Sequence, residues 1–526
     1  MVNIMKLFTY EEAFEKSLEY FNGDDLAASV FLGKYALQNT CGEFLESDPD
    51  MMHQRLAREF EKVESKYENP MTYDEIYNLF KDFKYIVPQG SPMSGIGNNY
   101  QIQSLSNCFV IEEPHDSYGG ILKTDQEQVQ IMKRRGGVGF DISSIRPSGM
   151  KTSNAAKTTG GIELFMDRFS NSCREVAQGG RRGALMLSIS VKHPQIYDFI
   201  KIKRDLTRVT GANISIRLTD DFMHAVQGGE EFLLQWPVDS EHPSVTKKCD
   251  AKHLWNEIIE SAHGSAEPGL LFWDTATRRT PSDAYTNEGF GSVSTNPCGE
   301  IILSPYDSCR LMLVNLTSFV KFPWTEKASF DYGHYANVVQ KAQRLMDDMI
   351  DLEIVQIDKI IEKIESDPEP DEVKYSERNL WNKIKQAAVK GRRTGLGITG
   401  LGDMLAMLNV TYGSKESIKI TEDIYKWLSL NSYESSIQLA IERGAFPIWQ
   451  HENEKEHEFI NQVIKELLPA RQEDYRLYGR RNIANTTTAP AGSVSVLTQT
   501  TSGIEPAFML HYTRRKKINP NDETAT

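Results

Sequence analysis

Leu185-Met186-Leu187-Ser188-Ile189-Ser190-Val191 alternates side chains in a β-prone pattern, and His193-Pro194 follows at once. Period-two alternation reads as a strand, and proline belongs at or near the first turn of a helix. The same order recurs outward in both directions. Upstream, Cys108-Phe109-Val110-Ile111 is strand-like, a helical stretch lies near Asp125 to Arg135, and Gly137 to Ile142 is a short strand between glycines. Downstream, Ala212 to Leu218 and Arg310 to Leu316 are further strands. Repeated strand-then-helix order predicts an α/β barrel or a doubly wound sheet.

The first 90 residues read differently. Glu11 to Asn22 and Asp25 to Gln38 space Phe14, Leu18 and Phe21, then Leu26, Phe31, Leu32 and Tyr35, as helices do, with Gly23 as the break. Thr72-Tyr73-Asp74-Glu75 is a capping box. Pro88-Gln89-Gly90-Ser91-Pro92 is expected to stop helix formation and mark a boundary, giving a helical domain over 1–95 and a barrel domain over 96–526. Acidic, proline-bearing Glu362 to Glu377 reads as a solvated loop. Phe508 to Tyr512 is strand-like, an odd place for a barrel to end.

Composition narrows the function. The 526 residues are 40% hydrophobic and 25% charged, an ordinary globular balance that excludes disorder and collagen-like classes. The net charge of −14 lacks the footprint of a nucleic-acid binder. There is no run of eighteen apolar residues, and Met1 to Tyr20 has no apolar signal core, so no membrane span is expected and a cytoplasmic location is. Six cysteines, with no CxxC and no zinc spacing, are too sparse for a disulfide scaffold or a metal site.

The sharpest chemical signal is Ser294-Thr295-Asn296-Pro297-Cys298-Gly299-Glu300. Pro297 and Gly299 describe a tight turn with a thiol at its tip. Asn296 and Glu300, two residues to either side, can point the same way as Cys298. A carboxylate beside a thiol raises the thiol pKa, which suits a neutral thiol or a sulfur radical rather than a thiolate nucleophile. Cys108, and Cys309 in Asp307-Ser308-Cys309-Arg310-Leu311, could cycle between dithiol and disulfide if they met, which the sequence leaves open. Three small-residue loops offer backbone to phosphate: Lys133 to Gly139, Gln178 to Gly183 and Pro490 to Ser495. None is a Walker A or a dinucleotide fingerprint, but together they favour nucleotide ligands.

These segments, with Ser106-Asn107-Cys108, Arg392 to Gly397 and Ser502 to Pro506, resemble the catalytic subunit of ribonucleotide reductase over essentially the whole chain. The resemblance implies a ten-stranded α/β barrel with a finger loop carrying Cys298 as a transient thiyl radical. It implies that Glu300 takes the ribose 3′-hydroxyl proton, that Asn296 holds the ribose hydroxyls, and that Cys108 and Cys309 are the reducing dithiol. Ala491, Gly492, Ser493, Val494 and Ser495, helped by Ser91, would hold the substrate phosphates. Asp116, Ser117 and Arg146 would bind an ATP or deoxynucleotide effector at a homodimer interface. Gln178, Gly179, Gly180 and Arg182 would link effector to substrate.

Two departures from the family pattern shape the expectation. The chain begins directly in the helical region, without an ATP-cone. It also ends before the expected remainder of the barrel, a tyrosine pair and C-terminal cysteines. The Arg514-Arg515-Lys516-Lys517 ending looks slightly more class I-like. The expected protein is therefore a class I-like reductase of ribonucleoside diphosphates. It would work with a metal-containing small subunit that supplies the radical, a separate chain completing the barrel, and a thioredoxin or glutaredoxin type reductant. The alternatives are the adenosylcobalamin-dependent class and a nucleotide-binding subunit without catalysis.

Overall fold

The computed structural model describes residues 6–176 and 183–509. It is an α/β fold in which a helical N-terminal region packs on a partial α/β barrel. Helices Tyr10–Tyr20 and Asp25–Lys34 are separated by Gly23, whose φ of 90° suits glycine. The Thr72 capping box opens Tyr73–Phe80. Beyond Pro88 the expectation fails: Gly90–Gly95 is a short helix, because Pro92 sits in its first turn, where a missing N–H costs nothing.

Five parallel strands form the first part of the barrel wall: β2 (Cys108–Val110), β3 (Gly137–Asp141), β4 (Leu185–Ser190), β5 (Asn213–Leu218) and Gly269–Phe272. Ser308–Cys309 joins this sheet antiparallel to β2. After one intervening residue the same chain becomes Leu311–Asn315, which pairs parallel with Gly395–Thr399 and antiparallel with β1 (Ile86–Pro88). Residues 308–315 are thus a seam shared by a six-stranded and a three-stranded sheet. A parallel bridge from Leu396 to Thr486 extends the second sheet.

Two cores hold this wall. One gathers Ile111, Val138, Leu187 and Ile216 with Phe140, Phe169 and Trp381 under the outer helices. The other joins the N-terminal helices, through Phe31, Leu56 and Phe80, to Leu313, Leu396 and Ile398 of the second sheet and to Ala491, Val494 and Leu497.

The acidic stretch read as a loop is mostly helix. Tyr332–Ser366 and Asp371–Gly391 enter it from both sides, and only Asp367 to Pro370 break the run. Glutamate and lysine are good helix formers; Pro368 follows the Asp367 cap of the first helix, and Pro370 caps the next. Phe508 and Met509 are not in a strand, and the rest of that strand-like segment lies outside the described residues. Among the described residues, no helix is long and apolar enough to cross a membrane.

Candidate active site

The tip of the Cys298 turn reaches the barrel interior because its stem is anchored on the first sheet. Ser294–Thr295 pairs with Ile302–Leu303 as a narrow hairpin. Ser294 Oγ lies 2.8 Å from Ser188 Oγ on β4, and Ser188 donates to Asp141, itself paired with Arg217. Asn213 at the start of β5 donates to the Pro297 carbonyl at 2.8 Å. A Cβ added at Gly139 would collide with the Thr295 carbonyl, and one at Gly137 would meet Pro297. The strand read from sequence at Gly137 to Ile142 is β3, and its glycines let the hairpin lie close against the wall, while Arg135 and Gly137 also line the cavity described below. Gly299, with φ of 77°, completes the turn.

The two outer cysteines meet. Cys108 and Cys309 are register partners across the antiparallel pair of β2 and Ser308–Cys309. Residues directly opposite in such a pair have Cα atoms roughly 4.5–5.5 Å apart, inside the ~4.4–6.8 Å range of disulfides. Both are present as thiols. Asn296 is fully buried, and its amide donates to Glu300 Oε2 at 2.6 Å and to Cys108 Sγ at 3.1 Å. The amide thus ties the carboxylate to the thiol pair, and the exposed Cys298 stands between them in the chain.

Burial sets the electrostatics. It raises the Glu300 carboxyl above its ordinary value, against the opposing pull of the Asn296 hydrogen bond. It pushes the Cys309 thiol up to about 12 and the Cys108 thiol well above normal, with the Glu300 charge adding to both. These sulfurs stay protonated at neutral pH, suited to giving up hydrogen rather than to attacking as thiolates.

A cavity of about 260 Å³ is lined by Cys108, Cys298 and Glu300 together with Ser91, Gly492, Ser493 and Val494. Of the residues read as phosphate-binding, Ala491 is buried away from it and Ser495 turns its hydroxyl to the Gly492 carbonyl. That segment is also not an open loop, since Gly492–Thr498 is helical. The cavity includes Tyr35 and Gln89, which the sequence reading did not single out for the site. Tyr35 donates to Ser493 Oγ at 2.6 Å from 458 residues away, a contact with no local sequence signal. Gln89 donates to the Pro490 carbonyl at 3.1 Å.

Asp116, Ser117 and Arg146 also come together, some way from this cavity. Arg146 Nε donates to Asp116 Oδ2 at 2.6 Å, and both line an opening of about 160 Å³ with Ser117, Tyr118 and Phe165. Gln178, Gly179, Gly180 and Arg182 lie outside the described residues.

Residues 106–522 match the family model described as ribonucleotide reductase, barrel domain. The chain is 28% identical over 494 residues to a vitamin B12-dependent ribonucleoside-diphosphate reductase of Mycobacterium tuberculosis, covering 93% of this chain and 62% of that one. It is 31% identical over 431 residues to the protein of the same description from Thermoplasma acidophilum, covering 81% and 49%. A ribonucleoside-diphosphate reductase large chain of Neurospora crassa is 24% identical over 483 residues, covering 84% and 48%. The chain thus spans about half to three-fifths of the length of these relatives. The class I-like placement is corrected accordingly: greater identity lies with the vitamin B12-dependent proteins. The motifs pointed only to the family, and the Arg514–Lys517 ending, which alone suggested class I, was too weak a signal to separate the classes.

Proposed function

Because the chain belongs to the ribonucleotide reductase family, we propose that it carries the centre for adenosylcobalamin-dependent reduction of a ribonucleoside diphosphate to its 2′-deoxy form. The observation that carries this reading is one cavity lined by Cys108, Cys298, Glu300, Ser91 and Ser493, with Cys309 paired to Cys108 behind it and Asn296 hydrogen-bonded to Cys108 and Glu300.

In this reading the Cys298 sulfur takes the 3′-hydrogen of the ribose and later returns it. Glu300, with its raised pKa, accepts the 3′-hydroxyl proton, and Asn296 orients that carboxylate. Cys108 and Cys309 give up two protons and two electrons. The two S–H bonds and the C2′–O bond break, an S–S bond and a C2′–H bond form, and the 2′-hydroxyl leaves as water. A thioredoxin or glutaredoxin type reductant would restore the dithiol.

When bound, adenosylcobalamin would supply the one-electron chemistry that opens the Cys298 S–H bond. The residues present fit its adenosyl group. A cavity of about 450 Å³ flanks the finger at Glu300, Ile301 and Ile302. Three of its lining residues, Arg393, Tyr433 and Asn485, are almost wholly buried, and Arg393 Nη2, Tyr433 Oη and Asn485 Oδ1 have no hydrogen-bond partner among the described residues. They would hold the polar edge of a nucleoside. Asp116, Ser117 and Arg146 would bind a nucleotide effector in a cytoplasmic homodimer.

The test supplies the chain with adenosylcobalamin, a ribonucleoside diphosphate and dithiothreitol, with and without a completing chain, and measures deoxynucleotide by mass spectrometry. Product that needs the cobalamin and disappears in Cys298→Ser is expected. Product formed equally without cobalamin, or unchanged in Cys298→Ser, overturns the reading.

A further inference from the structure

We propose that Glu353, on the long helix behind the barrel wall, is the positioning residue that holds Cys108 and Cys309 in register through a buried polar chain. The inference rests on the reading of these two cysteines as the redox dithiol.

The strands that carry the pair are too short to fix their own alignment. β2 has three residues and its partner Ser308–Cys309 has two. Bonds flanking the pair run from Asn107 N to the Cys309 carbonyl at 3.0 Å, from Val110 N to the Asp307 carbonyl at 3.2 Å, and from Tyr306 N to the Val110 carbonyl at 2.8 Å. A slip of one residue would turn Cys309 to the opposite face of the sheet.

The face opposite the cysteines supplies what the ladder lacks. Glu353 accepts from Ser104 Oγ at 2.5 Å, Leu105 N at 2.6 Å and Ser106 Oγ at 2.9 Å, so one carboxylate grips the three residues leading into β2. Ser106 Oγ lies 3.3 Å from Ser308 Oγ, a diagonal contact to the strand that carries Cys309. Arg310 donates to Ser308 Oγ at 2.6 Å and to the Arg393 carbonyl at 2.9 Å. Ser104, Ser106, Ser308, Arg310 and Glu353 are all fully buried. Well-packed apolar side chains would fill this space at less cost in desolvation. A hydrogen-bonded polar chain instead specifies one arrangement of the groups it joins, and here it joins the two strands that bear the sulfurs, with Arg310 Nε alone of the chain left without a hydrogen-bond partner among the described residues.

The test measures the Cys108–Cys309 couple in the whole chain. Wild type, Glu353→Gln and Ser106→Ala are equilibrated in glutathione buffers of graded potential. Thiols are then trapped by alkylation, and the Cys108–Cys309 peptide pair is quantified by mass spectrometry. In this exchange two S–H bonds break and one S–S bond forms, while glutathione disulfide takes the two electrons and two protons to become two glutathione thiols. The amide introduced by Glu353→Gln offers one acceptor atom where three donors converge, and Ser106→Ala removes the crossing link. Each variant should lower the equilibrium constant for disulfide formation at least tenfold, a shift of about 30 mV, while circular dichroism shows it folded. Folded variants with the wild-type potential overturn the proposal. If Glu353→Gln does not fold, Ser106→Ala decides alone. A wild-type chain that forms no Cys108–Cys309 disulfide at any potential sinks the dithiol reading itself, a result distinct from unshifted variants.

Discussion

Cys309 shows how far burial alone can take a side chain from its ordinary chemistry. Its thiol is pushed up to about 12, from an ordinary 9.0, mainly by burial and then by Glu300. The folded state therefore favours the neutral thiol. This contribution to stability is complete below about pH 9 and is lost as pH rises toward 12. Denaturant titrations at pH 8 and pH 11 should show a steeper alkaline loss in wild type than in Cys309→Ala. Labelling should follow the same logic. Iodoacetamide at pH 8 should modify exposed Cys41 and Cys298 first, with Cys309 slower by roughly a hundredfold or more because the thiolate reacts. Peptide mapping over time checks the order. Tyr35 makes a different prediction. Tyr35→Phe removes the donor to Ser493 in the cavity wall. It should raise KM for the diphosphate several-fold with little change in kcat, since loss of an interaction common to ground and transition states acts on binding.

At the level of strands and helices, the finger and β3 depend on each other. Gly139→Ala would drive a methyl group into the Thr295 carbonyl. Overpacking of this kind costs about 1–3 kcal/mol and sometimes more, and here the damage falls on the turn that presents Cys298. Thermal denaturation should show that loss. Gly333→Ala, at the start of a long helix with no close neighbour beyond Asp331, should be neutral or slightly stabilising. Most of these elements were legible in the sequence. Alternation gave Leu185–Ser190 and Asn213–Leu218, and the capping box gave the helix at Tyr73. The thiol turn was legible too, because proline and glycine bracket Cys298. Three things were not. The acidic run at Glu362 to Glu377 hid two helices, since charge says where solvent lies and not whether the backbone coils. The strand at Gly137 to Ile142 was read, but not the close seating of the finger on its glycines, since a missing side chain serves close backbone approach as readily as anion binding. Tyr35 and Glu353 act across hundreds of residues, and no local pattern encodes such a meeting.

The whole molecule is knit by buried charge as well as by its apolar cores. Asp347 receives Arg392 at 2.8 Å, Arg443 at 3.1 Å and Arg481 at 3.2 Å, and Arg443 continues to Asp348 and to Glu64 of the N-terminal helices. The guanidinium groups hold the Asp347 carboxyl well below the usual carboxylate range despite its burial. Its stabilising contribution is thus present above about pH 4 and lost only as pH falls further, through its depressed folded pKa. Asp347→Asn leaves three cations facing a neutral group. Breaking a buried pair in this way costs about 3–5 kcal/mol, and chemical denaturation at pH 7 should register it. The same comparison at pH 2 should show a smaller gap, because the carboxylate of the unfolded wild-type chain is protonated there while the folded one is not, which favours unfolding.

The seam at residues 308–315 has a mechanical side. Cys309 sits where one β-sheet hands its chain to the next, two residues from the start of Leu311–Asn315 in the second sheet. Any twist of one sheet against the other must pass through that short joint and would move this sulfur relative to Cys108. Strain applied at a distance, by a ligand on the far rim or by a neighbouring subunit, would then be felt as a change in how easily two sulfurs join.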